Sequence, residues 1–121
     1  MPLKFTLLTV VALSALFGGV SGRELVEKRC GSCHMVSNPT IEQVKHMVAP
    51  PMWGVARHIK REIPQKDEFV SFVADYIMEP AEDKIRFNKE AFRRFGLMPS
   101  MKGIMTDAEA RLVAEYLYET Y

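Results

Sequence analysis

Cys30-Gly31-Ser32-Cys33-His34 constrains this chain more than any other stretch. The two cysteines are the only ones present, and a histidine follows the second directly. Residues three apart share one face of a helical turn. The two thiols are therefore offered on the same side, with an imidazole one residue further on. That spacing suits covalent attachment of haem: two thioethers to the vinyl groups along one side of a porphyrin, and His34 carried under the ring as a ligand to the iron. Three other chemistries use parts of the pattern. A thioredoxin-like redox pair needs a βαβ setting, and no run of β-branched alternation is found. Zinc needs four ligands, and only His46 or His58 remain to complete Cys30, Cys33 and His34. A plain disulfide across two residues would be strained and would close almost no loop.

The first 22 residues read as an export signal. Lys4 supplies the positive start, Leu7 to Phe17 form the apolar stretch, and Val20-Ser21-Gly22 offers small residues for cleavage. Cleavage there leaves residues 23–121 as a single domain. The competing reading is an uncleaved anchor, since Phe5 to Gly22 is at the short limit for a spanning helix. Export points to a bacterial periplasm and makes sense of the cysteines, because free thiols oxidise outside the cytoplasm and thioether bonds would consume both. The 16 basic and 15 acidic residues balance, which excludes a nucleic-acid footprint or a polybasic membrane patch.

The pattern predicts an all-α chain. A short helix over 23–31 leads into the Cys-x-x-Cys-His motif, with Leu25 and Val26 inward. Residues 35–51 read as loop, punctuated by Asn38-Pro39 and Pro50-Pro51. Phe69, Phe72, Val73, Tyr76 and Ile77 make a helical stripe over 66–78, closed by Pro80. A third helix is expected over 82–95, with Ile85, Ala91, Phe92 and Phe95 inward and Gly96 as a left-handed cap. Thr106-x-x-Glu109 is a capping box opening a last helix, whose apolar face is Leu112, Val113, Tyr116 and Leu117.

An iron held only by His34 would keep one open position, and its second ligand decides between electron transfer, gas binding and catalysis. Met98 is the first candidate. It lies in Phe95-Gly96-Leu97-Met98-Pro99, between a helix end and a capped helix start, with enough chain between it and His34 to pass round a ring edge. Met101 and Met105 compete, and a histidine is the remaining option. Core filling is the ordinary role of a methionine and is expected for Met35, Met47 and Met78.

At this point the chain resembles a small monohaem class I cytochrome c, over essentially all of residues 23–121. The resemblance rests on the helix before Cys-x-x-Cys-His, the central proline loop, Met98-Pro99 and the terminal amphipathic helix. It implies four to five short helices around one haem c, attached through Cys30 and Cys33 and ligated by His34 and Met98. Ala49-Pro50-Pro51-Met52-Trp53-Gly54 is similar to the family's Gly-Pro-x-Leu-x-Gly segment, with Ala49 and Met52 departing from it. The resemblance implies that the Pro50 carbonyl accepts a hydrogen bond from His34, a place that Pro51 could also take. Arg57 resembles the family's propionate-binding arginine, with a solvated surface charge as the other reading. Trp53 could donate its indole N–H to a propionate or simply pack. The resemblance places Tyr116 and Leu117 against the first helix. The implied activity is electron carriage in the periplasm, not enzymatic catalysis, between redox-partner proteins that dock weakly on a monomer. A dedicated haem subunit of a periplasmic oxidoreductase, with residues 57–94 as its contact surface, is the alternative. A small-ligand sensor is the third reading.

Overall fold

Six α-helices and no strand are found among residues 19–85 and 89–121, the part that the computed structural model describes. The apolar body of the predicted leader lies outside the described residues, as do residues 86–88 of the predicted third helix. None of the described helices is long and apolar enough to cross a membrane.

The first helix starts earlier than the predicted cleavage point. Ser21 caps α1 (Gly22–Leu25), its hydroxyl accepting from Glu24 N at 3.2 Å. The predicted boundary between residues 22 and 23 therefore falls inside the first turn. The helix continues as a π-helical turn, Val26–Cys30, whose closing bond runs from Gly31 N to Val26 O at 2.9 Å. A π turn is a local widening of a helix and is common at functional sites.

Within the predicted 35–51 loop lies a short helix, α2 (Ile41–Lys45), opened by a reciprocal capping box between Thr40 and Gln43. α3 (Met52–Glu62) follows Pro51 directly, as suits a residue whose missing N–H is an orphan at a helix start anyway. α4 (Lys66–Met78) has the predicted limits. It buries Phe69, Val73 and Ile77 as expected, and Val70 as well, while Phe72 and Tyr76 are only half-buried.

The predicted helix over 82–95 is not continuous. Glu82–Lys84 is a single 3₁₀ turn, and Ile85 leaves it at ψ 80°, outside helical space. The Lys84 ammonium reaches back to Glu79 O at 2.7 Å and to Asp75 at 2.9 Å, so this turn is tied to the end of α4. α5 (Lys89–Phe95) forms separately, and Ala91, Phe92 and Phe95 are half-buried. Gly96 caps it at φ +77°, its N–H donating to Phe92 O at 2.8 Å.

α6 (Asp107–Thr120) is the spine. Thr106 and Glu109 close the predicted capping box. Its buried face is Ala110, Val113, Ala114 and Leu117. Leu112, expected on that face, is exposed instead, and the alanines take its place because small residues let neighbouring helices come close. α1 and α4 both pack on α6, with a lighter contact from α3. At the far end Lys60 donates to the Tyr118 and Tyr121 carbonyls at 2.7 and 3.0 Å, satisfying groups a helix terminus leaves unpaired. Tyr118 packs edge-on against Phe69 and donates to Pro64 O at 2.8 Å.

At Gly22, α1 meets α6 with no room for a side chain. A Cβ there would lie 2.5 Å from the Leu112 carbonyl oxygen and 2.8 Å from Tyr116 Cβ. The first neighbour is backbone and cannot swing aside. Gly22→Ala should cost about 1–3 kcal/mol through overpacking. The denaturant midpoint is the measurement, and an unshifted midpoint would show that the crossing has room.

Candidate functional site

The Cys-x-x-Cys-His motif sits where the first helix runs out. Burial of Leu25 and Val26 fixes the helix against the core, and Cys30, one wide turn beyond Val26, is buried with them. The Cys30 carbonyl accepts from both Cys33 N at 3.1 Å and His34 N at 2.8 Å. This pair of hydrogen bonds folds the chain into a tight turn that brings Cys33 to the surface and leaves His34 half-buried. Both thiols are free.

Gly31 has a role the spacing alone did not suggest. A Cβ on it would stand 2.6 Å from the Glu27 carbonyl oxygen. The π turn brings that carbonyl close, so the first residue between the cysteines must be glycine for the turn to keep its shape. Glycine accepts such close backbone approach where other residues do not.

The His34 ring is held by one bond. Nδ1 lies 2.7 Å from the Pro50 carbonyl oxygen, which can only accept, so Nδ1 carries the proton. Nε2 is thereby left as the nitrogen with the lone pair. Burial pulls the imidazole below its ordinary value, with the Pro50 bond partly opposing that shift. The ring is neutral at neutral pH, the form that ligates a metal. A second strut fixes the same loop: Met52 N donates to Met35 O at 2.8 Å, tying the residue after His34 to the start of α3.

The two thiols differ. Burial, reinforced by the nearby Cys33, pushes the Cys30 thiol up to about 11. Cys30 is therefore held as a neutral thiol, whereas Cys33 is open to solvent.

The methionine candidates also separate. Met105 is a core residue, as is Met52. Met101 is pinned by its backbone, its N–H donating to Ile77 O at 3.1 Å, and its side chain lies half-buried against the core. Met98 lies between the Gly96 cap and that anchor, half-buried against the same core. The other histidines have neighbours of their own. His46 is at the surface, 3.7 Å from Glu42, and His58 Nδ1 accepts from Arg61 at 3.5 Å. Among the described residues, no three His, Cys, Asp or Glu side chains converge as a metal-ion cluster, so the zinc alternative lacks its ligand set.

Trp53 and Arg57 share a place, one turn apart on α3, with the guanidinium 5.9 Å from the indole centroid. Together with Val36, Ser37, Asn38 and Tyr121 they line an open recess of about 590 Å³. None of Cys30, Cys33, His34 or Met98 lines it. Arg57 is close enough to Tyr121 to offset part of the upward push that burial gives that phenol.

A protein of Aquifex aeolicus (strain VF5), described as an uncharacterized protein, is 34% identical to this chain over 112 residues. The alignment covers 83% of this chain and 73% of that protein. The chain belongs to the same family as that protein. No family model matches the sequence, and no solved structure matches it.

The thiol asymmetry is directly measurable. In the haem-free folded chain, alkylation should modify Cys33 at least about tenfold faster than Cys30, since the thiolate is the reacting form. Denaturant should abolish the difference. Equal rates under native conditions would contradict the burial of Cys30.

Proposed function

We propose that the chain is a small electron carrier of the cytochrome c type, holding one haem through Cys30, Cys33 and His34, with Met98 as the second ligand to the iron. The observation that carries this reading is the state of His34. Its Nδ1 proton is committed to the Pro50 carbonyl, which fixes the tautomer, raises ligand basicity and leaves Nε2 for iron. Two free thiols precede it at the spacing that thioether attachment requires.

The donor set fits the group. One soft thioether, one neutral imidazole and two cysteines outside any metal-ion cluster are what a covalently held haem asks for, and not what a bare zinc ion asks for. Leu97, beside Met98, and Val44 and Val48, leading to Pro50, are exposed apolar side chains. A porphyrin seated between His34 and Met98 would give such side chains an apolar partner.

Haem would supply reversible one-electron chemistry. The residues supply the rest. With His34 and Met98 both as ligands, no open place would be left for bond-making at the metal. The Met98 thioether would favour the reduced state and set a higher potential than a second histidine would. Trp53 and Arg57 remain the residues proposed for the propionates, and Tyr121 lines the same recess. Redox partners of such a carrier would dock weakly over a small interface. Export to a periplasm and removal of a leader belong to the same reading, the cut then falling before Ser21, which caps α1, so that Gly22 stays in the mature chain.

Cys30→Ala with Cys33→Ala should abolish covalent haem, read as loss of haem staining in a denaturing gel. Haem retained on that gel would refute the attachment. The intact ferric protein should show a thioether-to-iron charge-transfer band at the red end of the visible spectrum, and its ferrous form should bind carbon monoxide only slowly, limited by rare release of the Met98 thioether. Met98→Ala should lose the band and bind carbon monoxide readily. A variant with unchanged spectra would transfer the ligand role to Met101 or Met105, and ready carbon monoxide binding by the wild type would favour the sensor.

A further inference from the structure

The C-terminal end of α4 and the segment that follows Met98 are joined residue against residue. Met101 N donates to Ile77 O at 3.1 Å, Ser100 Oγ donates to Met78 O at 2.6 Å, and the Lys102 ammonium pairs with the Glu79 carboxylate. Ser100 Oγ also accepts from Lys102 N at 3.1 Å, which curls the strap onto itself. Ile77 and Met78 carbonyls are among the last of a helix and have no partner inside it, so the strap occupies places the helix end must fill. Glu79 is itself braced, its carbonyl accepting from Lys84 at 2.7 Å. Beyond the strap, Gly103 turns at φ +81°, and Ile104 N and Met105 N both return to Met101 O at 3.0 and 2.9 Å. Met105 is then locked in the core.

Met98 is thus carried on a short span with one fixed end at the Gly96 cap and the other at Ser100. Pro99 joins Met98 to Ser100 with a fixed φ, so little slack separates the hydroxyl from the thioether. Ser100 is exposed, which makes it a weak contributor to global stability. Its leverage is on position.

We propose that Ser100, seconded by the Lys102–Glu79 pair, is the positioning residue for Met98: it latches the 98–102 strap to the end of α4 and so sets how firmly the Met98 sulfur is held at its ligand place. The inference rests on the haem reading above. It adds the device that governs the sixth ligand. A looser strap would let the thioether leave more often, exposing the iron and lowering the reduction potential, because a thioether favours the ferrous state.

The test uses holoprotein carrying Ser100→Ala, Ser100→Thr or Lys102→Gln. Loss of one hydrogen bond of this kind corresponds to roughly a fivefold change in an opening equilibrium. Ser100→Ala should therefore bind carbon monoxide in the ferrous state roughly fivefold faster than wild type. It should also weaken the ferric charge-transfer band and lower the potential, and Ser100→Thr should restore all three. Lys102→Gln should move them in the same direction, and it decides the matter if the alanine variant does not fold. Wild-type carbon monoxide binding, band and potential in the alanine or glutamine variant would overturn the latch while leaving the haem reading standing. A wild-type protein without covalent haem would bring down both.

Discussion

The contact of α1 with α6 across Gly22 sets the coordinates for everything that follows it in the chain. The backbone of Leu112 and the side chain of Tyr116 come so near Gly22 that no Cβ fits between them. Because α1 passes without a break into the π turn, that contact also orients Cys30 and, through the Cys30 carbonyl, the turn that carries Cys33 and His34. α4 packs on α6 as well. Its far end holds the strap after Met98. One helix therefore stands behind both halves of the proposed haem site, and neither half is built on a free loop.

Hydrogen bonding divides the work between the two halves. On the His34 side, a proline carbonyl does what only an acceptor can do, and its fixed place before α3 makes the ring orientation a property of the backbone. On the Met98 side, side chains are used: a hydroxyl and an ion pair that solvent reaches. Charge-assisted contacts at the surface contribute little to stability, and this is consistent with a role in placement.

The parts legible in the sequence were those with a local physical signature. The α4 stripe, the Gly96 cap and the Thr106–Glu109 box each follow from a few residues and appear as expected. α2 carries an equally local signal in Thr40 and Gln43, which the loop reading of 35–51 passed over in favour of the flanking prolines. Other features depend on tertiary contact and were not legible. Leu112 looked inward by periodicity, yet Ala110 and Ala114 allow the close approach that displaces it. The helix expected over 82–95 yields to the Lys84 bonds with Asp75 and Glu79. In the site, the cysteines, His34 and Pro50 could be named from spacing and resemblance. Gly31 could not, because its need arises from a widened turn that no propensity announces. Trp53 and Arg57 line one recess with Tyr121, and none of Cys30, Cys33, His34 or Met98 lines it.

The π turn has one more consequence. A π-helical turn advances each residue by a smaller rotation than an α turn does, so the five residues Val26–Cys30 arrive at the motif out of phase with a straight helix. The stretch from Gly22 to Cys30 works as a gauge whose reading is a count of residues. Glu27, Lys28 and Arg29 face solvent and are free to vary in kind. Their number is not free: adding or removing one would turn the whole Cys30–His34 segment relative to α6 and carry the His34 ring away from the Pro50 carbonyl that holds it.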